Sequence, residues 1–429
     1  MEEAREYLAA LPRFLTNCRS FLAKTGPGLI TGAADDDPSG ISTYAIAGAT
    51  ARYSMLWLAP LTTVMMIVVQ GMCARIGLVT GMGLAEALRK NFPFPLAAAL
   101  GIMTIGANTL NLGADLAGMA ASIRLLVGGP PLLWVVVFGV ACYVAPVYLN
   151  YRTFVNVVKV LALSLGAYVV AMFAIHPPWL EVLASTLIPR VHLDRTWLTT
   201  VVAVLGTTIT PYLFYWQASL MVEEDKAQGK VTLTQRRGAT KKEVADANAD
   251  VTLGMIVSNA IMFCIIVTTA TTLSRTGHAS IQSAQDAAEA LRPLAGDFAY
   301  VLFAAGMVGT GLLAIPTLAG SSAFVFAETF KVRGASLAAT PDRAPRFYGV
   351  FGAGIAIGIA FNVFHVDPIG ALFWSAVVNG VAAVPLLVVI TLLANRRSLM
   401  QRWTNSRAAN VWAILTIVLM AGAAIGMFF

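Results

Sequence analysis

The chain has 429 residues, 58% of them hydrophobic and only 12% charged, with a mean hydropathy of +0.74 and a formal charge of +7. Soluble domains carry about 25% charged residues. The composition therefore excludes a water-soluble globular protein and, with no catalytic constellation in the sequence, disfavours an enzyme.

Residues 1–25 mix charged and apolar side chains without a continuous apolar core or a small-residue cleavage site. They read as a cytoplasmic N-terminal segment rather than a secretory signal. Eleven apolar runs follow, at 26–50, 54–77, 95–123, 131–150, 156–175, 198–222, 250–273, 297–326, 347–364, 368–394 and 409–428. Each approaches the ~20 residues that a helix needs to cross a bilayer. The longest linkers, 177–197, 225–250, 274–296 and 331–346, are too short to be domains of their own. Cys18, Cys73, Cys142 and Cys264 stand apart, so neither a disulfide framework nor a thiolate metal site is indicated.

With the N-terminus cytoplasmic, 23 Lys and Arg residues fall inside and six outside: Arg52, Arg124, Arg190, Arg195, Arg275 and Arg292. The positive-inside rule then predicts a multi-pass protein of the plasma (inner) membrane, N-terminus in and C-terminus out. This bias accounts for the net charge, and no nucleic-acid partner is needed. The sequence leaves the oligomeric state open. Runs one to five (26–175) and six to ten (198–394) have opposite orientations in the membrane. That is the pattern of an inverted repeat, with 409–428 as an addition.

Two of the runs are broken near their middles. The first is interrupted at Asp35-Asp36-Asp37-Pro38-Ser39-Gly40, the sixth at Gly206-Thr207-Thr208-Ile209-Thr210-Pro211. Irregular backbone at membrane depth is tolerated only where it is buried in protein or lines a cavity. Breaks at corresponding places in two halves point to a transporter's central site, and an intramembrane carboxylate is a functional-site hypothesis by default. Pro38 and Gly40 free local carbonyls and amides, Asp37 adds formal charge, and Thr207 and Thr210 offer hydroxyl and carbonyl oxygens. Oxygen donors of this kind favour Mg²⁺, Ca²⁺ or Mn²⁺. The expected metal set is thus Asp37, Gly40, Thr207 and Thr210. Asp35 and Asp36 read either as holders of outer-shell waters or as water-facing residues of a vestibule. Asn108, Asn111 and Asp115 share one face of the third run, as an interhelical network or a permeation route.

At these residues the chain resembles the Nramp family of divalent metal transporters. Gly26-Pro27-Gly28 followed by Asp37-Pro38-Ser39-Gly40 resembles that family's first helix, whose usual signature is Asp-Pro-Gly-Asn. Ala74-Arg75-Ile76-Gly77-Leu78-Val79-Thr80-Gly81, followed by Leu84-Ala85, resembles the loop after its second helix. Ala114-Asp115-Leu116-Ala117 matches the third, Leu205 to Pro211 the sixth and Ala319-Gly320-Ser321-Ser322 the eighth. The resemblance implies an all-α membrane protein with a LeuT-like fold, eleven transmembrane helices and a 5+5 inverted repeat. It also sets the departures in relief. Gly40 stands where the family has a metal-binding Asn, Thr210 where it has a Met, Tyr212 where it has a His, and Asn108 and Gly118 where it has acids. Such a fold also places a Na⁺ site near Ser321 and Ser322, although close packing is the plainer reading of that pair.

The resemblance is to a divergent branch that includes Mg²⁺ carriers. The expectation is an importer of a divalent cation, Mg²⁺ ahead of Mn²⁺, working by alternating access without strict proton coupling. The cation is substrate, and no cofactor is expected. The rival expectations are a Na⁺-coupled or uncoupled transporter of a small organic solute, and a membrane sensor that transports nothing.

Overall fold

A computed structural model describes residues 27–148, 165–272, 281, 283–292, 296–332, 334–337, 339–364 and 366–429. The expected cytoplasmic segment 1–25 and residues 156–164 of the fifth run lie outside the described residues, as do Cys18, His278 and His365. Among the described residues all regular structure is helical. In lipid every backbone group must be satisfied within its own segment, and only helices or closed barrels achieve that.

The first run forms two short helices, α1 (Pro27–Asp35) and α2 (Pro38–Ala51). Helix α3 (Leu58–Thr80) follows, then the short amphipathic α4 (Leu84–Asn91), α5 (Phe94–Val127) and α6 (Pro131–Tyr148). Helix α7 (Gly166–Ala174) is the described end of the fifth run, and α8 (Trp179–Leu187) occupies the following linker. The second broken run gives α9 (Arg195–Thr208) and α10 (Pro211–Ala227). The chain closes with α11 (Lys241–Thr272), α12 (Ala299–Thr329), α13 (Pro345–Phe361), α14 (Pro368–Ala394) and α15 (Arg407–Gly426). Taking α9 and α10 together, eight spans among the described residues are long and apolar enough to cross a membrane.

The linker expected at 225–250 is shorter than its composition implies. Helix α10 runs on to Ala227, and α11 starts at Lys241, nine residues before the apolar run. The reason is local. Glu243 Oε2 accepts from Thr240 N at 2.8 Å and from its hydroxyl at 2.9 Å, a reciprocal cap that begins the helix in polar sequence.

Helix α11 packs against α1 and α2, α9 against α14, and α5 against both α12 and α14. These crossings are close. A methyl group on Gly206 would stand 2.0 Å from the Ala376 carbonyl, and one on Gly380 would stand 2.7 Å from the Val202 carbonyl. Backbones in membranes approach this far only through small residues. The α9–α14 contact therefore fixes the last turn of α9, which ends at Thr208 just before the break at Ile209 and Thr210. Pro316 and Pro385 lie inside α12 and α14, where each removes a helical hydrogen bond.

Candidate metal site

Both breaks form as extended residues between two helices. Asp37 has φ −71° and ψ 170° and caps α2, with Pro38 in the first turn. Proline is suited to that position because the amide it lacks would have no helical partner. Thr210 has φ −96° and ψ 139° ahead of Pro211, and its side chain makes no cap. The positive ends of α2 and α10 and the negative ends of α1 and α9 thus lie at the two breaks.

Asp37 is buried and held by three donors. Its Oδ1 accepts from Ser39 Oγ at 2.8 Å and Gly40 N at 2.7 Å, and its Oδ2 accepts from Asn111 Nδ2 at 3.0 Å. Hydrogen bonds to a charged group are each worth about 1.5–3 kcal/mol, so the carboxylate is firmly oriented. Thr207 Oγ1 lies 3.4 Å from Ser39 Oγ, which brings the second break to the first. Gly40 sits at the same junction. A methyl group there would meet Thr207 Oγ1 at 3.2 Å and Asp37 Oδ1 at 3.4 Å. Thr210 Oγ1 is buried without a hydrogen-bond partner among the described residues. Asp37 and Gly40 are therefore bonded, and Thr207 lies beside them against Ser39 and Gly40, with Thr210 at the head of the adjoining helix.

Asp35 and Asp36 face elsewhere. Both are buried rather than water-facing, and both accept from Ser258 of α11, at 2.6 Å to Asp35 Oδ2 and 3.3 Å to Asp36 Oδ1. Asp35 and Asp36 thus converge on Ser258 while Asp37 turns to α5. Among the described residues no group of three or more His, Cys, Asp or Glu side chains is arranged to hold a metal. Nor does a Lys or Arg there pair with Asp35, Asp36, Asp37 or Asp115; the ion pairs lie at helix ends and in the 228–240 linker.

The α5 face divides. Asn111 joins the site through Asp37, whereas Asn108 Nδ2 donates to Ser322 Oγ at 3.0 Å and serves a contact with α12. Asp115 is fully buried, no side chain among the described residues hydrogen-bonds it, and the Ser39 backbone amide lies beside it. Tyr212 donates to the Ala34 carbonyl at 2.7 Å, tying α10 to the end of α1. Ser321 donates to the Tyr212 carbonyl at 2.9 Å, so α12 braces the second break. His176 and His192 are exposed and remote from both breaks.

Sequence reasoning missed Ser258, Ser39, Ser375 and Tyr44. Ser375 Oγ donates to Asn111 Oδ1 at 2.8 Å, and the buried Tyr44 hydroxyl lies beside Thr207. Ser258 and Ser375 were visible as small hydroxyls inside apolar runs. Such side chains in lipid need a partner, but the sequence does not say which.

Residues 28–429 match the family described as natural resistance-associated macrophage protein-like. The chain belongs to the Nramp family. Among its relatives is the divalent metal cation transporter MntH of Yersinia pestis (strain Pestoides F), 29% identical over 312 residues, 70% of this chain and 71% of that one. MntH of Granulibacter bethesdensis is 25% identical over 301 residues, 69% and 66% of the two chains. These Nramp relatives are named as cation transporters, not enzymes, and the metal is cargo rather than cofactor. Of solved structures, the Eremococcus coleocola manganese transporter superposes with a TM-score of 0.72 at 18% identity, covering 93% of this chain and 85% of that one. Mhp1, a nucleobase-cation-symport-1 family transporter, superposes at 0.61 with 14% identity, covering 94% and 90%. The fold is the expected LeuT-like one, and the chain is an integral multi-pass membrane protein.

Proposed function

We propose that this Nramp member imports a divalent cation across the plasma membrane by alternating access. The ion is bound between the two breaks by Asp37, with oxygens of Thr207, Thr210 and the backbone at Gly40 completing the shell. One observation carries the reading. Four carboxylates, Asp35, Asp36, Asp37 and Asp115, are buried at membrane depth, and no basic side chain among the described residues pairs with any of them. Uncompensated charge in such surroundings is costly, and a divalent cation compensates it. The relatives named as divalent metal cation transporters support the substrate class.

Mg²⁺ is the preferred ion, with Mn²⁺ as the second. Thr210 and Gly40 supply no thioether or amide, so nothing here rewards a soft ion. Mg²⁺ gives up water reluctantly and keeps part of its shell when bound, which suits a site with one side-chain carboxylate and small neighbours. Proton import is not stoichiometric, because Tyr212, Asn108 and Gly118 stand where the family carries titratable groups. Residues 26–175 and 198–394 act as the two inverted halves, with the N-terminus inside and the C-terminus outside.

The test is uptake into liposomes of Mg²⁺, Mn²⁺ and Ca²⁺, with and without a pH gradient. Saturable Mg²⁺ uptake that is insensitive to the gradient is expected. A second reading, transport of a small organic solute, is favoured by the lack of a three-member metal cluster among the described residues. It gains if purified protein shows no heat of Mn²⁺ or Mg²⁺ binding.

A further inference from the structure

We infer that Asn111 and Ser375 are positioning residues that set the rotation of the Asp37 carboxylate, and through it the affinity for the cation. The inference rests on the proposed binding of a divalent cation at Asp37.

A carboxylate has about four acceptor places. On Asp37, Ser39 Oγ and Gly40 N fill two on Oδ1, and Asn111 Nδ2 fills one on Oδ2. With Oδ1 filled by its own turn, a cation that approaches without displacing a donor comes to Oδ2, the oxygen that Asn111 holds. Ser39 and Gly40 belong to the same turn as Asp37 and move with it. Asn111 is the donor that comes from another helix, so it alone of the three relates the carboxylate to the rest of the protein.

Asn111 is itself held. Its side chain is fully buried on α5, and its Oδ1 accepts from Ser375 Oγ of α14 at 2.8 Å. Ser375 Oγ is also 2.8 Å from the Leu372 carbonyl, so one proton serves two acceptors and its hold on Asn111 is the weaker link. Helix α14 is also the one whose Gly380 abuts α9 beside Gly206. The relay Asp37–Asn111–Ser375 therefore references the first break to the helix that fixes the second. The distance between Asp37 and Thr207 is thereby held from outside both breaks.

Partners that orient a metal ligand change affinity by about 10–100-fold when removed. The two residues touch no cation themselves, so their loss changes the half-saturating concentration rather than the maximal rate. The experiment is Mg²⁺ and Mn²⁺ uptake into liposomes by wild type, Asn111→Leu, Ser375→Ala, Ser375→Thr and the Asn111→Leu/Ser375→Ala double variant. Asn111→Leu should raise KM ~10-fold with the maximal rate within ~2-fold of wild type. Ser375→Ala should raise it ~3-fold, as expected for a shared hydrogen bond, and Ser375→Thr, which keeps the hydroxyl, should restore it. The double variant should be no worse than Asn111→Leu, because Ser375 acts through Asn111. An unchanged KM in Asn111→Leu, or additive effects in the double variant, overturns the relay. Should Asn111→Leu not fold, equal KM values for Ser375→Ala and Ser375→Thr overturn it instead. Absence of divalent uptake by wild type itself refutes the proposed function, and this inference with it.

Discussion

The chain contains the same four-residue pattern twice, and the two copies differ in setting. Asp37-Pro38-Ser39-Gly40 begins α2, and Asp367-Pro368-Ile369-Gly370 begins α14. In each, the Asp carboxylate accepts from the Gly amide three residues on, at 2.7 Å for Gly40 and 2.8 Å for Gly370. Each Asp is a helix cap with proline in the first turn, and neither needs a further reason to exist. The difference is burial. Asp367 is exposed at a helix end, where the Gly370 amide donates to it. Asp37 is 2% exposed, carries two further donors in Ser39 and Asn111, and faces an uncapped second break across Thr207. A cap alone explains Asp367. It does not explain why a charge is placed and so fully oriented in the middle of a membrane.

The sharpest way to break that contrast is Asp37→Asn. Asn caps a helix about as well as Asp, so this change keeps the turn; it removes the charge and, because an amide nitrogen cannot accept, the hydrogen bond from Asn111. Uptake of divalent cations into liposomes should fall at least ~100-fold, since a buried charge–charge attraction of several kcal/mol is lost, while the melting temperature in detergent stays near wild type. Asp37→Ala should lose transport equally and some stability as well. Wild-type uptake by Asp37→Asn would reduce Asp37 to the role of Asp367.

Selectivity is the next largest effect. Gly40→Asn with Thr210→Met introduces an amide and a thioether where the family carries them, and it should shift the Mg²⁺ to Cd²⁺ uptake ratio toward Cd²⁺ by ~10-fold or more. The Asn must displace Thr207 Oγ1 slightly, because even a methyl group at Gly40 stands 3.2 Å from it. A ratio that does not move would place selectivity outside the two breaks.

Coupling comes third. With a pH-sensitive dye inside liposomes, addition of the transported cation outside should produce no stoichiometric acidification. Acidification that depends on the cation and vanishes in Asp115→Asn would make Asp115, fully buried and without a side-chain partner among the described residues, a proton carrier. The smallest effect belongs to the other copy of the pattern. Asp367→Ala should cost ~1 kcal/mol of stability, the usual worth of an N-cap, and leave uptake kinetics unchanged.

Much of this was legible in the sequence because helix-breaking residues and membrane depth conflict. Pro38, Gly40 and Pro211 inside apolar runs have few structural solutions, and the structure adopts the one expected. Asp37, Gly40 and Thr207 meet for the same reason. The partners from other helices were not legible. Ser258 and Ser375 are small hydroxyls among several in long apolar runs, and what they bond depends on rotations of α11 and α14 that periodicity does not define where a helix is apolar all round. The divergence of Asp35 and Asp36 from Asp37 was hidden likewise. Three adjacent carboxylates suggest one cluster, but a chain that leaves one helix and enters another turns successive side chains apart. The polar start of α11 was missed because composition marks a linker there, whereas Thr240 and Glu243 form a cap.

The central claim is that a cation sits between the two breaks on Asp37. Anomalous scattering from crystals of the wild-type protein soaked in Mn²⁺ tests it most directly. One peak is expected at about 2.0–2.6 Å from Asp37 Oδ2, the range for oxygen ligands of hard cations, with Thr207 or Thr210 among its neighbours. A peak against Asp35, Asp36 and Ser258, or none at saturating Mn²⁺, would contradict it.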